Sequence, residues 1–217
     1  GSSSNIPGAT WLIQLTAMRL PWARLAACPN DPAGLLTAAA LPVPQAEAAR
    51  RLLIVWHSRT GMAEQMAQAL HRGAKQAALE MEASSGLVID ILRANEVQVP
   101  QLLCADGFLF CAPENLATMS GEMKEFFDRS YYGALGRLTA RPYGCAIAAG
   151  SDGRGAAAQL QRICQGWRLK PVAEPLVLRN GAQSPEAVAR AKTLSEAQRT
   201  SCLELGGLVA AHLLLQT

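Results

Sequence analysis

From Arg51 onward, apolar positions alternate between two rhythms. Leu52-Leu53-Ile54-Val55-Trp56 is an uninterrupted apolar run, the pattern of a strand buried on both faces of a parallel sheet. The period then changes. Met62, Met66, Leu70, Ala74, Ala77 and Met81 recur at spacings of three and four, which makes one stripe of a helix. A second strand is predicted over Leu87–Leu92 and a third over Gly107–Cys111, ended by Pro113; the next helix carries Met119, Met123, Phe126 and Phe127 on its inner face. Tyr143–Ala149 reads as a fourth strand, and Ala156, Leu160, Ile163, Cys164 and Trp167 stripe the helix after it. Pro171–Leu178 gives a fifth strand, and residues 195–215 a last helix with Ser195 as N-cap. Strands that alternate with helices imply a three-layer α/β/α sandwich around a parallel sheet. Five such units without a sixth favour the strand order 2-1-3-4-5, in which a ligand crevice opens beyond the C-terminal ends of strands 1 and 3.

Residues 1–50 lack these rhythms and are read as a tag remnant followed by an irregular arm, leaving 51–217 as the folded domain. Gly1-Ser2-Ser3-Ser4 has the look of a linker, and four prolines break the stretch 28–46. Leu25-Ala26-Ala27-Cys28 spells a bacterial lipoprotein cleavage box. Arg19 and Arg24 fall where such a signal needs an apolar stretch, and no basic segment precedes them, so the box is read as a chance match and the protein as cytoplasmic.

Composition narrows the function classes. Half of the residues are hydrophobic and 17% are charged, as in a globular chain. No window approaches the roughly 18–20 apolar residues of a membrane span. The net charge is +3; with Arg19, Arg24 and Arg50 set against Asp31 and Glu47 in the arm, the domain carries +2. Without a dense basic run, nucleic acid is not an expected partner. Cys28, Cys104, Cys111, Cys145, Cys164 and Cys202 include no Cys-x-x-Cys pair and read as small buried hydrophobes, not as a disulfide framework. His57, His71 and His212 are too scattered for a metal cluster.

The loops facing the crevice carry the chemistry. After strand 1 come Ser58, Arg59, Thr60, Gly61, Met62 and Ala63, two hydroxyls and a glycine running into a helix. A phosphate monoester needs converging donors with no side chain in the way. Ser58 and Thr60 offer hydroxyls, Gly61 allows close approach, and the helix N-terminus offers free N–H groups and a favourable dipole. Arg59 either adds a cation or points to solvent. The same residues would also serve as an ordinary helix cap. After strand 3, Pro113, Glu114, Asn115, Leu116, Ala117, Thr118 and Met119 form a long loop of small and polar groups, suited to the edge of a flat heterocycle, or to capping the next helix through Thr118 or Ser120. After strand 4, Gly150, Ser151, Asp152 and Gly153 lie beside the same crevice, although Gly150–Gly155 lacks dinucleotide spacing and reads as a flexible turn. Tyr131 and Tyr132 are read either as lining a substrate mouth or oligomer contact, or as partly buried at a helix end. A phosphatase of this general shape would need a cysteine six residues before an arginine in the first loop, and no cysteine falls in 57–64; a phosphoacceptor receiver would need acidic residues at the end of strand 1, where His57 and Ser58 stand.

Residues Leu52–Ala67 resemble the first strand and phosphate loop of flavodoxin-like proteins. Ser58, Thr60 and Gly61 match the pattern, and Ala63 stands where the family has a threonine. Ala105-Asp106-Gly107, Pro113, Met119-Ser120-Gly121-Glu122-Met123-Lys124 and Phe127-Asp128-Arg129 resemble NADPH-dependent FMN reductases and the related NAD(P)H:quinone oxidoreductases. The resemblance implies a flavodoxin-like fold, bound FMN, NADPH or NADH as electron donor, a quinone or free flavin as acceptor, and often a homo-oligomer. Asn115, Leu116 and Ala117 depart from the arginine, aromatic and glycine found there in quinone reductases, which affects the expected nicotinamide and quinone contacts. Three functions fit: an FMN-dependent NAD(P)H oxidoreductase, an electron-carrier flavodoxin, and a binding module that kept the fold without redox activity. The first is favoured, because a domain at +2 lacks the acidic field that steers carriers to basic redox partners. No side chain is expected to act as a catalytic acid or base, since hydride passes directly between nicotinamide and flavin.

Overall fold

The computed structural model describes residues 49–216. The expectations placed on the arm, including the Leu25–Cys28 box, lie outside the described residues. The elements are β1 (Arg50–Trp56), α1 (Met62–Glu80), β2 (Leu87–Arg93), α2 (Val99–Cys104), β3 (Gly107–Asn115), β4 (Thr118–Met119), α3 (Gly121–Ala134), β5 (Pro142–Ala149), α4 (Arg154–Gly166), β6 (Lys170–Pro171), β7 (Leu176–Arg179), α5 (Pro185–Ala189) and α6 (Glu196–Leu215).

The sheet runs β2-β1-β3-β5, with β6 and β7 both on the far side of β5. Counting β6 and β7 as one interrupted strand gives the expected parallel order 2-1-3-4-5. Register is fixed by the two-residue repeat. Leu52, Ile54 and Trp56 of β1, with Leu109 and Cys111 of β3, join a core under α1 and α6. Leu53 and Val55, with Phe108 and Phe110, join a second core under α3 and α4. A strand covered on both faces must be apolar at every position, which explains the unbroken runs in the sequence. Phe110 lies 5.1 Å from Phe127, and Phe127 lies 5.0 Å from Trp167, so an aromatic cluster binds β3, α3 and α4.

The sequence reading missed the structure at three places. Pro113 does not end β3. It pairs in register with Ala148 of β5, and β3 runs on to Asn115 before turning into the antiparallel β4. Met119 consequently lies in β4, not in the helix, although it is buried as expected. The fifth strand is broken: Pro142–Tyr143 faces Lys170–Pro171, whereas Ala146–Ala149 faces Leu176–Arg179, so Gly144 and Cys145 stand opposite the four residues 172–175. Proline at 171 and 175 removes two ladder donors, and the strand bulges between them.

Cys111, Cys145, Cys164 and Cys202 are free and buried, and burial pushes the Cys145 and Cys202 thiols up to about 12. The Phe127-Asp128-Arg129 motif has a structural use: the Arg129 guanidinium donates to the carbonyls of Ala94 and Val97 and pairs with Glu125, tying α3 to the loop after β2. Among the described residues, no helix is long and apolar enough to cross a membrane.

Candidate flavin site at the strand C-termini

The loop between β1 and α1 is held by its own backbone. His57 N–H donates to the Cys111 carbonyl (3.0 Å), continuing the β1–β3 ladder by one residue. Ser58 Oγ accepts from Gly61 N–H (3.1 Å), which leaves the Ser58 hydroxyl proton free to point elsewhere. Gly61 is the N-cap of α1 at φ 88°, a left-handed conformation that suits glycine. The backbone angle is a reason for glycine here in addition to the expected close approach to phosphate. A Cβ at Gly61 would face the Lys192 carbonyl at 3.7 Å, and Gly61 is not in the wall of the crevice.

That crevice is a cleft of about 650 Å³ at the C-terminal ends of β1, β3 and β5. From the first loop and α1 it is lined by Ser58, Arg59, Thr60, Met62 and Ala63. The β3–β4 hairpin contributes Pro113, Glu114, Asn115, Leu116 and Ala117, and the end of β5 contributes Ala148, Gly150 and Ser151. Four further expected residues lie outside the wall. Thr118 turns its hydroxyl back to the Asn115 and Met119 carbonyls, and Met119 is buried in the core with its N–H on Gln159 Oε1. Asp152 pairs with Arg154 at 2.6 Å. Gly153 caps α4 at φ 82°, where a Cβ would meet Val177 at 2.3 Å. Tyr131 and Tyr132 are exposed on α3 and do not line the cleft.

The hairpin tip is unusual. Leu116 and Ala117 both have positive φ, 51° and 61°, the two-residue turn geometry that normally selects Asn and Gly. Leu116 is 99% exposed. The turn is pinned from behind, since a Cβ on Gly155 would stand 2.1 Å from the Ala117 carbonyl oxygen. Glu114 ties the hairpin to the loop after β5: its Oε2 accepts from Gly153 N–H at 2.8 Å, while Oε1 is buried without a hydrogen-bond partner.

Behind the first loop, His57 Nδ1 is 2.8 Å from Ser120 Oγ, and Nε2 is 3.4 Å from Glu122 Oε1. Ser120 is fully buried, so this row of groups is a brace between β1 and α3 and offers no nucleophile. Burial lowers the His57 pKa, against the opposing pull of Glu122. Glu122 also takes the Arg59 guanidinium at 3.2 Å, so Arg59, read as either a phosphate-loop cation or a solvent-facing side chain, is ion-paired while it lines the cleft.

One wall was not anticipated. Asn180, Ala182, Val188, Ala189 and Lys192, from the connection between β7 and α6, close the cleft. Lys192 N–H donates to the Thr60 carbonyl at 2.8 Å. Gln65 bonds the Gly61 and Lys192 carbonyls and accepts from Leu194 N–H, stitching this segment to the first loop. The signal in the sequence was length, since sixteen residues between β7 and α6 exceed the roughly 2–6 of an ordinary strand–helix loop.

The cleft volume falls within the range of about 300–1,000 Å³ typical of small-molecule sites, and its position is the switch point of the sheet. Two hydroxyls beside the start of a long helix suit a phosphate, and the small and polar groups of the hairpin and the β5 loop suit the edge of a planar ring.

Comparison with known proteins agrees with this geometry. Among solved structures, an oxidoreductase from Corynebacterium diphtheriae superposes with a TM-score of 0.61 at 16% identity, covering 78% of this chain and 99% of that one. An oxidised flavodoxin from Bacillus cereus gives 0.58 at 16% identity, covering 75% and 99%. These likenesses establish the flavodoxin-like fold. In sequence, the chain is 29% identical over 100 residues to an NAD(P)H dehydrogenase (quinone) from Acidithiobacillus ferrooxidans, a match spanning 37% of this chain and only 46% of that relative. A family model for NADPH-dependent FMN reductase matches residues 57–183, from the first loop to the new wall of the cleft and over half of the chain. By that match, the chain belongs to the NADPH-dependent FMN reductase family.

Proposed function

We propose that residues 51–217 form an FMN-binding domain and that the protein is an NAD(P)H oxidoreductase, passing electrons from NADPH or NADH to a small acceptor such as a quinone or free flavin. The observation that carries this reading is the cleft itself, with the Ser58–Thr60 loop at one end and the β3–β4 hairpin facing the β5 loop at the other. Ser58 and Thr60, with the N-terminus of α1, would hold the phosphate; Pro113–Ala117 and Gly150–Ser151 would hold the two edges of the ring. Bound FMN would supply two-electron chemistry, and the protein would supply orientation and a shaped cleft. Hydride transfer needs no protein proton carrier, and neither His57 nor Glu122 is in the cleft wall. The quinone acceptor is supported by the Acidithiobacillus ferrooxidans relative, an NAD(P)H dehydrogenase (quinone).

The deciding experiment is anaerobic mixing of the FMN-loaded protein with NADPH and with NADH, followed near 450 nm. Direct bleaching, then recovery on adding a quinone or free flavin, is the expected result. A flavin that stays oxidised with both nucleotides but accepts electrons from a reductase protein would instead make this an electron carrier.

A further inference from the structure

Among the described residues, two cations line the cleft, and they differ in what holds them. Arg59 is half-exposed and paired with Glu122. Lys192 has no carboxylate within ion-pair distance among the described residues. Its ammonium donates to the carbonyls of Ala187 (2.6 Å), Val188 (3.0 Å) and Arg190, at and just beyond the C-terminal end of α5. Carbonyls at a helix C-terminus fix a cation without neutralising its charge. The cleft wall therefore holds one uncompensated positive charge, on the segment stitched to the Ser58–Thr60 loop.

We propose that Lys192 is the cationic member of the phosphate site and the residue that makes the cleft prefer FMN to riboflavin. The inference rests on the flavin reading above and adds a specificity determinant to it. The three ammonium donors are taken by these carbonyls, so meeting a phosphate dianion exchanges one carbonyl for a phosphate oxygen; the ammonium is already positioned, and the new hydrogen bond is charge-assisted. The backbone geometry makes the proposal testable with one side chain. The links that place this segment use the Lys192 N–H and C=O, to Thr60 and Gln65, so a substitution beyond Cβ leaves them in place.

The test is titration of the flavin-free full-length protein with FMN and with riboflavin, by fluorescence quenching, for the wild type, Lys192→Met and Lys192→Arg. Lys192→Met is expected to weaken FMN roughly 10- to 100-fold, the range for one hydrogen bond between charged groups, and to leave riboflavin within about twofold. Lys192→Arg should restore most of the preference, and added salt should weaken FMN binding to the wild type more than to Lys192→Met. If Lys192→Met weakens both flavins equally, the residue is structural and the proposal is overturned. If the FMN preference is unchanged while NADP⁺ titration of the FMN-loaded protein weakens, the lysine meets the nicotinamide phosphates instead, and the proposal again fails. A wild type that binds riboflavin as tightly as FMN would overturn the phosphate reading of the cleft together with this one.

Discussion

Gly206 of α6 lies so close to α1 that a Cβ on it would stand 2.0 Å from the Leu70 carbonyl oxygen. The contact is reciprocal one turn away, where a Cβ on Gly73 would stand 2.0 Å from the Leu203 carbonyl oxygen. Two helices can approach this closely only where both lack side chains, and the obstacle in each case is backbone, which no rotamer change moves.

Gly206→Ala is therefore expected to destabilise the fold by about 3 kcal/mol, the upper end of ordinary overpacking. For a chain of this size that corresponds to a fall in Tm of about 6–12 °C. Gly207→Ala is the internal control: its Cβ would meet the Gly73 carbonyl oxygen at 3.4 Å, an ordinary contact, and it should melt near the wild type. Thermal unfolding followed by circular dichroism measures both. Equal Tm values for Gly206→Ala and Gly207→Ala would show that α1 and α6 separate easily.

Gly61 acts through its backbone angle, so its variants should sort by conformation and not by bulk. At φ 88°, an alanine costs about 1–2 kcal/mol, whereas asparagine tolerates the left-handed region better. Gly61→Asn, although larger, is expected to retain more stability and more FMN affinity than Gly61→Ala. The reverse order, measured by melting and flavin titration, would show that this position must stay bare for phosphate.

The two-rhythm pattern made most of the fold legible. Strands covered on both faces must be apolar throughout, and α1 and α4 each present one stripe to the sheet, so periodicity alone located them. What stayed hidden was set by contacts across the chain. Pro113 reads as a strand end, yet in a parallel pair with Ala148 its missing N–H leaves the strand intact. Leu116-Ala117 carries no turn signal, because the angles there are imposed by packing against Gly155. Asn180 and Lys192 look like loop residues. Contacts far along the chain bring them to the cleft: Asn180 N–H donates to the Ala149 carbonyl, and Lys192 is held by Thr60 and Gln65, more than a hundred positions earlier.

Stability should fall with acid, and His57 supplies part of the slope. Its folded pKa is lowered below 6.5, chiefly by burial, so the unfolded chain binds the proton more readily than the native one. The cost is absent well above pH 6.5 and grows as pH falls from there through the folded value. His71 is lowered in the same direction, also by burial, and contributes to the same window. Glu122 is held below 4.5, first by its hydrogen bond to backbone N–H, so its stabilising share is lost only at lower pH. Urea denaturation of His57→Gln at pH 7.5 and 5.5 should show a smaller drop between the two than the wild type, with a residual drop from His71. An unchanged drop would place the titration elsewhere.

The last expectation concerns the strained hairpin tip. Leu116 and Ala117 hold φ values of 51° and 61° without being glycine or asparagine, at about 1–2 kcal/mol each. Leu116 gains nothing in return from packing, since it is 99% exposed. Leu116→Asn with Ala117→Gly gives the sequence this turn favours and is expected to raise stability by about 1–3 kcal/mol, or a few degrees in Tm. The glycine also loosens the tip in the unfolded chain, so the gain should come mainly from the asparagine. If the exposed leucine exists to cover a bound ring or its partner substrate, the stabilised variant should keep its FMN spectrum yet turn over nicotinamide or quinone more slowly. Melting curves and steady-state kinetics on the same preparation separate the two effects. A variant neither more stable nor altered in KM or kcat would mean that the turn relaxes freely in solution and that its strain has no functional role.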